Sequence, residues 1–190
     1  MVLGVSGTIG TRLADLLRAT HEVIGVSRRT NPSIDLTQPT TIDSALHLIG
    51  EVDAVICVAA HGALTPVQDV SATVYDDAIR AKLLGQLHLV HVALRHLSPG
   101  GSITLTSGRS DPAMTGAAVG ASINIALETY VELAAAELGD RARLNVVSPG
   151  WVSETLAAMG RSPVDGTPAA VVAQQFRDIV LGEMTGTVVR

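Results

Sequence analysis

The sequence predicts a three-layer α/β fold built on a doubly wound parallel sheet. Apolar strand-like runs alternate with helical patterns along the whole chain, as the helical crossovers of a parallel sheet require. One run, residues 52–60, is apolar almost throughout, which is typical of a central strand covered on both faces. A glycine-rich turn joins the first strand-like run to the first helix, where α/β proteins often bind phosphate.

Size and composition narrow the class of protein. A chain of 190 residues with 47% hydrophobic residues is long enough for one domain with a real core. Scarce aromatic residues (2%) and a net charge of −5 argue against a nucleic-acid partner. The single cysteine excludes an internal disulfide and disfavours a structural zinc site, so we expect no metal. With no signal peptide and no long apolar run, we expect a cytoplasmic protein without membrane contact, with a few native residues possible upstream.

The glycine turn is the element around which the chain is organised. Gly4, Gly7 and Gly10 follow a short apolar strand at three-residue spacing and lead into a helix over residues 11–20. In such turns one glycine permits the bend, one lets the backbone approach a pyrophosphate, and one lets the helix pack close to the sheet. The free N–H groups of the helix then face the phosphates. The spacing alone is also compatible with a turn that binds nothing.

Two arginines follow the predicted second strand, residues 21–27. Arg28 and Arg29 stand where a dinucleotide-binding fold faces the adenosine ribose. An acidic residue there suits the free hydroxyl of NAD, whereas the guanidinium fork suits the 2′-phosphate of NADP. The sequence therefore favours NADP over NAD as the cofactor. The alternative is that the two arginines only solubilise a loop.

The remaining elements continue the alternation to the end of the chain. We expect them to be joined by right-handed crossovers. They are a third strand (33–36), a helix (40–49), a fourth strand (52–60), a long helix (71–97) closed by Ser-Pro-Gly-Gly, a fifth strand (102–106), a second long helix (114–138), a sixth strand (143–148), a short helix, a helix ending near residue 181, and a last strand (185–189).

Taken in order, these motifs resemble those of the short-chain dehydrogenase/reductase family. The glycine turn resembles the family's motif in an atypical spacing, Asp35-Leu36 resembles its adenine-contacting pair, and residues 103–107 resemble the strand that ends in its active-site Ser. Residues 57–60 stand where the family has Asn-Asn-Ala-Gly, and residues 144–152 resemble the Asn-x-Val-x-Pro-Gly segment beside the nicotinamide. The resemblance implies a Rossmann fold with strand order 3-2-1-4-5-6-7. It implies a cofactor site made of Gly4, Ser6, Gly7, Thr8, Ile9, Gly10, Ser27, Arg28, Arg29, Asp35, Leu36, Ala59, Ala60, His61, Lys82, Pro149, Gly150, Trp151 and Val152.

The catalytic residues depart from the family pattern. The family uses a Ser, a Tyr and a Lys four residues after the Tyr, and the register of the helix over 114–138 puts Gly120 and Asn124 in the last two places. In the preceding helix Lys82 occupies the place of a family Asn, so Asn and Lys look exchanged between neighbouring helices. The alternative is that Lys82 drifted after activity was lost and points to solvent. The candidate catalytic residues are Ser107, Lys82, Asn124 and His61. For His61 the sequence favours the alternative, a loop histidine with no role.

Three functions remain open. The first is an NADP(H)-dependent oxidoreductase on a small carbonyl or hydroxyl substrate, with an altered proton relay. The second is a non-redox enzyme on the same scaffold, such as a dehydratase, isomerase or cyclase, and the third is an NADP-binding pseudo-enzyme or sensor. The two long helices are apolar nearly all round, and in the resembled family they pair across a two-fold axis. We therefore expect a homodimer or homotetramer.

Overall fold

A parallel sheet forms the centre of the molecule. The computed structural model describes residues 1–60, 64–111 and 114–190, and within them six strands form one sheet in the order β2-β1-β3-β4-β5-β6. Every neighbouring pair is parallel. The strands are β1 (Val2–Leu3), β2 (Gly25–Val26), β3 (Val52–Cys57), β4 (Leu97–Thr106), β5 (Arg143–Val147) and β6 (Val188–Val189). The predicted doubly wound parallel sheet is confirmed.

Helices cover both faces of this sheet and complete the three layers. They are α1 (Thr8–Arg18), α2 (Pro39–Ile49), α3 (Ala72–Ala78), α4 (Gly85–Ala93), α5 (Ala118–Leu138), α6 (Ser153–Ala158) and α7 (Ala169–Leu181). On one face α1 and α7 bury Leu13 and Phe176 against the sheet. On the other face α2, α4 and α5 bury Leu46, Leu89 and Leu127. Burying each such side chain contributes about 1.5–3 kcal/mol, so both interfaces are substantial.

The third predicted strand is much reduced. Only a single bridge joins Ser27 to Ser33 beyond β2. Local side-chain hydrogen bonds replace the ladder there, because the Thr30 hydroxyl accepts from the Ser27 N–H at 2.7 Å and donates to the Pro32 carbonyl at 2.9 Å. Such side-chain bonds compete with strand pairing. The other six predicted strands lie in the implied order. The predicted strand order 3-2-1-4-5-6-7 therefore holds if the bridge at Ser33 is counted as the third strand.

The first long helix differs from its prediction in two ways. It is interrupted between α3 and α4 by a π-helical segment, Ile79–Leu84, and it ends at Ala93 rather than Leu97. The expected stop signal Ser-Pro-Gly-Gly lies inside β4, which begins at Leu97. Gly100 has a φ of 75°, and the pairing with β3 shifts register between Val52 and Ala54. The glycines therefore accommodate an irregular strand start instead of a helix end.

Candidate active site

A cleft of about 1050 Å³ runs along the carboxyl ends of the strands. Ligands of open α/β sheets bind at this edge. Most of the predicted cofactor and catalytic residues line this one cleft. The lining includes Gly4, Ser6, Gly7, Thr8, Ile9, Ser27, Arg28, Arg29, Asp35, Leu36, Ala59, Ala60, Lys82, Ser107, Asn124, Pro149, Gly150, Trp151 and Val152.

One predicted residue stands apart from this wall, and another is outside the part of the chain that the structure describes. Gly10 does not line the cleft, because it faces the turn that precedes its own helix. A Cβ at Gly10 would overlap the carbonyl oxygen of Gly4. His61, proposed both as an acid–base group and as a cofactor contact, lies outside the described residues.

The glycine turn has the geometry that a phosphate site needs. Gly4 has a φ of 92°, and a Cβ there would lie 2.7 Å from the Ala59 nitrogen, so both the bend and the close approach to the neighbouring strand end require glycine. Helix α1 begins after Gly7, and within the described chain no side chain caps this end. The first-turn N–H groups of Thr8 and Ile9 therefore remain available beside the cleft.

The predicted adenosine end of the cleft carries both positively and negatively charged side chains. Arg28 lies near Asp35, whose carboxylate accepts hydrogen bonds from the backbone and the hydroxyl of Thr37 at 2.9 and 2.8 Å. These two bonds, and secondarily Arg28, hold the pKa of Asp35 below its ordinary value. The carboxylate of Asp35 is thus engaged in a local turn, while Arg28 and Arg29 are exposed and line the cleft.

Lys82 is directed into the protein. It is the only lysine in the chain, is 8% exposed, and its Nζ donates to the Ser107 carbonyl at 3.0 Å. Burial lowers the pKa of this amine from 10.5 to about 8, although Cys57 and Glu128 act in the opposite direction. The alternative in which Lys82 points to solvent is therefore wrong. The exchange of Asn and Lys between the two helices stays a prediction.

The π-helical segment places Lys82, and Gln86 fixes that segment to the sheet. The Gln86 side chain donates to the Lys82 carbonyl at 3.1 Å and to the Thr106 carbonyl at 2.9 Å. Its amide oxygen accepts from the Thr106 N–H at 2.9 Å. Gln86 is fully buried, so these bonds join the helix to the end of β4 without competition from water. π-Helical turns often occur at functional sites.

The deep part of the cleft holds unpaired polar atoms and an open space. Among the described residues, Asn124 Oδ1 and Trp151 Nε1 are buried without a hydrogen-bond partner. A buried polar atom without a partner is costly, so a bound polar molecule would be stabilised there. A Cβ at Gly120 would meet no described residue within 4 Å, and both tyrosines of the chain, Tyr75 and Tyr130, lie away from the cleft wall.

Ser107 belongs to a polar network behind the cleft wall. Its hydroxyl donates to Glu128 Oε1 at 2.9 Å, and the Ser148 hydroxyl donates to the same oxygen at 2.6 Å. Arg190 pairs with Glu128 Oε2 at 2.9 Å. Ser107 and Ser148 follow β4 and β5 directly, and α5 carries Glu128 over their ends. The network therefore ties together one helix and the ends of the neighbouring strands.

Two residues of this region were missed by the sequence prediction. Glu128 follows Asn124 by four residues, as Asn124 follows Gly120, so the three share one helix face. A carboxylate on that otherwise apolar face was a signal for a polar network. Gln86 lies four residues after Lys82 and carried the same signal. Cys57 is fully buried, and burial raises the pKa of its thiol to about 12, so this cysteine is an unreactive core residue.

Comparison with known proteins defines the class. A family profile described as enoyl-(acyl carrier protein) reductase matches residues 9–183. The chain belongs to the short-chain dehydrogenase/reductase family. Versicolorin reductase 1 of Dothistroma septosporum is 30% identical over 129 residues, 66% of this chain and 49% of that protein. L-xylulose reductase of Bos taurus is 29% identical over 141 residues, 72% of this chain and 57% of that protein. The chain thus spans about half the length of the curated relatives it matches.

Solved structures of similar size resemble it along nearly its whole length. The protein lin1944 from Listeria innocua has a TM-score of 0.91 at 29% identity, with 99% of this chain and 96% of that chain covered. A small-chain dehydrogenase in complex with NADPH has a TM-score of 0.85 at 29% identity, covering 99% and 93%. This chain therefore shares its fold with these relatives and belongs with them to a family that binds nicotinamide cofactors.

No helix in the described ranges has the length and apolar character needed to cross a membrane.

Proposed function

We propose that this protein is an NADP(H)-dependent oxidoreductase acting on a small carbonyl or hydroxyl compound, with a proton relay different from that of its family. The observation that carries the proposal is the cleft, which joins an uncapped helix start, two arginines and a set of buried polar groups in one volume. A solved relative of similar length was crystallised with NADPH, which supports the choice of cofactor.

The residues present fit such a cofactor. The α1 start beside Gly7 would hold the pyrophosphate, Arg28 and Arg29 would hold the 2′-phosphate, and the segment 149–152 would border the nicotinamide. The unpaired Trp151 Nε1 and Asn124 Oδ1 offer a donor and an acceptor at that end. When bound, the cofactor would give or take a hydride. The chain's own groups would orient the substrate oxygen and move its proton.

The cofactor assignment is tested by replacing Arg28. Arg28→Ala should weaken NADPH binding by about 1.5–3 kcal/mol, which is roughly 10- to 150-fold, because one charge-assisted hydrogen bond to the phosphate is lost. NADH binding should change little. Binding is measured by titration of nicotinamide fluorescence, with the exposed Arg161→Ala as a matched control. Equal losses for NADPH and NADH would show that Arg28 does not read the 2′-phosphate.

The activity itself is tested by NADPH oxidation with a panel of small aldehydes and ketones, and by the reverse reaction with the matching alcohols. A second candidate, an NADP-binding protein without redox activity, is favoured by Gly120 and Asn124 at the places of the family's Tyr and Lys. NADPH binding with no turnover in either direction would favour that second candidate.

We also propose a homodimer or homotetramer formed through α4 and α5. The support is apolar surface on this side of the molecule: Leu84 is 50% exposed, and Ile125 and Leu133 are each 64% exposed. Light scattering at micromolar concentration should give at least twice the mass of one chain. The pair Ile125→Glu and Leu133→Glu should give monomers, whereas Leu48→Glu on α2 should not. A monomeric wild type contradicts this assembly.

A further inference from the structure

We infer that Ser107 and Glu128 form a proton relay that leads from the cleft to solvent and does the work of the tyrosine that this chain lacks. The inference rests on the proposed function, since it names how the substrate proton moves in that same site. Ser107 lines the cleft, whereas Glu128 lies behind it. The 2.9 Å bond between the Ser107 hydroxyl and Glu128 Oε1 joins the two compartments.

The direction of the hydrogen bonds defines what Ser107 offers to a substrate. An ionised carboxylate only accepts, so the hydroxyl proton of Ser107 points to Glu128 and away from the cleft. Ser148 donates to the same carboxylate oxygen at 2.6 Å, which holds Glu128 Oε1 in place from the other side. The lone pairs of Ser107 Oγ are thus left to accept a proton from a substrate hydroxyl.

The far end of the relay reaches the surface. Glu128 Oε2 pairs with the Arg190 guanidinium at 2.9 Å, and the side chains of these residues are 15% and 57% exposed. Because the Glu128 side chain is itself partly exposed and does not line the cleft, a proton received by this carboxylate can pass to water outside the cleft, whereas the Arg190 guanidinium cannot accept it. Within residues 1–60, 64–111 and 114–190, nothing lies within 4 Å of a Cβ placed at Gly120, and this space in the cleft wall offers room for a substrate.

The relay transfers protons only, and each O–H bond that breaks is matched by an O–H bond that forms. In the direction of oxidation, the substrate O–H bond breaks and a new O–H bond forms at Ser107 Oγ. The original proton of Ser107 forms an O–H bond with Glu128 Oε1, which leaves a neutral serine and a neutral carboxylic acid. The hydride lost from the substrate carbon goes to the oxidised nicotinamide of the proposed function. In the direction of reduction every proton moves the opposite way.

Glu128→Gln tests the relay in the whole protein. The amide keeps an oxygen that accepts from both serines but cannot take up a proton, so the fold should persist. We expect kcat to fall about 100-fold or more, with little change in KM or in NADPH affinity. In the direction of oxidation the shape of the kcat/KM pH profile should change, whereas a purely structural defect lowers the profile by the same factor at every pH. Glu132→Gln, one turn further along α5 and exposed, is the control and should match the wild type.

A second measurement needs no cofactor. Urea denaturation of the wild type, Ser107→Ala, Glu128→Ala and the double variant gives the coupling between the two side chains. We expect a coupling of about fivefold or more in the unfolding equilibrium constant, as for other contacting residues. Additive effects would overturn the contact on which the relay depends.

The outcomes separate the two proposals. Wild-type turnover that is unchanged in Glu128→Gln overturns the relay and leaves the oxidoreductase standing. A wild type that binds NADPH but turns over nothing overturns the oxidoreductase and the relay together, and any coupling then reports only a structural hydrogen bond. Turnover that depends on Glu128, with an altered pH profile and measurable coupling, supports both.

Discussion

Gly10→Ala is expected to destabilise the protein by about 3 kcal/mol or more and to abolish NADP(H) binding. The added Cβ would overlap the Gly4 carbonyl oxygen and come within 2.8 Å of the Gly4 carbonyl carbon. Both are backbone atoms, so relief requires α1 to move away from the turn. Overpacking of this kind costs about 1–3 kcal/mol, and more where only backbone can yield. The same movement would displace the N–H groups proposed to hold the pyrophosphate.

Gly120→Ala is the matched control for this prediction. Gly120 is also a helical glycine, but its Cβ would contact none of the residues that the structure describes. Alanine there should leave stability unchanged or raise it by about 0.5–1 kcal/mol, because glycine is a poor helix former. Urea denaturation followed by circular dichroism gives both values, and fluorescence titration gives NADPH affinity. Similar stabilities for the two variants would show that close packing of α1 on the glycine turn is not required.

Lys82→Met is expected to change how stability depends on pH. The amine titrates near pH 8 in the folded protein and at 10.5 in its ordinary state, so below pH 8 its burial as an ammonium costs about 3 kcal/mol. Between these two values the unfolded chain binds more protons, and wild-type stability therefore rises with pH. Methionine has similar length and no charge, so the variant lacks this contribution.

The measurement is the difference in unfolding free energy between the variant and the wild type at pH 7 and at pH 10.5. This difference should shift by about 3 kcal/mol in favour of the wild type at the higher pH. The lost hydrogen bond to the Ser107 carbonyl affects both values and largely cancels. A difference that does not vary with pH would mean that the amine is hydrated rather than buried.

The sequence predicted the layers and the cleft well because their signals are local. Continuous apolar runs such as residues 52–60 define buried strands, and the glycines at 4, 7 and 10 define the turn at the strand end. Since parallel strands end at the same edge of a sheet, residues that follow different strands meet without any knowledge of side-chain detail. That is why Arg28, Ala59, Ser107 and Pro149 line one cleft.

Other features depend on tertiary contacts that no local pattern encodes. The third strand is reduced to a bridge because Thr30 satisfies backbone groups that a ladder would have used. The π-helical segment cannot be told from α-helix by periodicity, although it determines where Lys82 points. The partnership of Glu128 with two serines appears only when β4, β5 and α5 are brought together.

The buried Lys82 gives the cleft a single amine that can be labelled covalently. The chain has no other lysine, so its other permanently cationic side chains are all arginines. Arginines do not react with amine reagents under mild conditions. Covalent labelling of lysine in this protein therefore modifies one residue, at the floor of the cleft. Reductive methylation with isotopically labelled formaldehyde would put one spectroscopic reporter on that floor and a second on the N-terminal amine of Met1, both read by NMR without substitution of any residue.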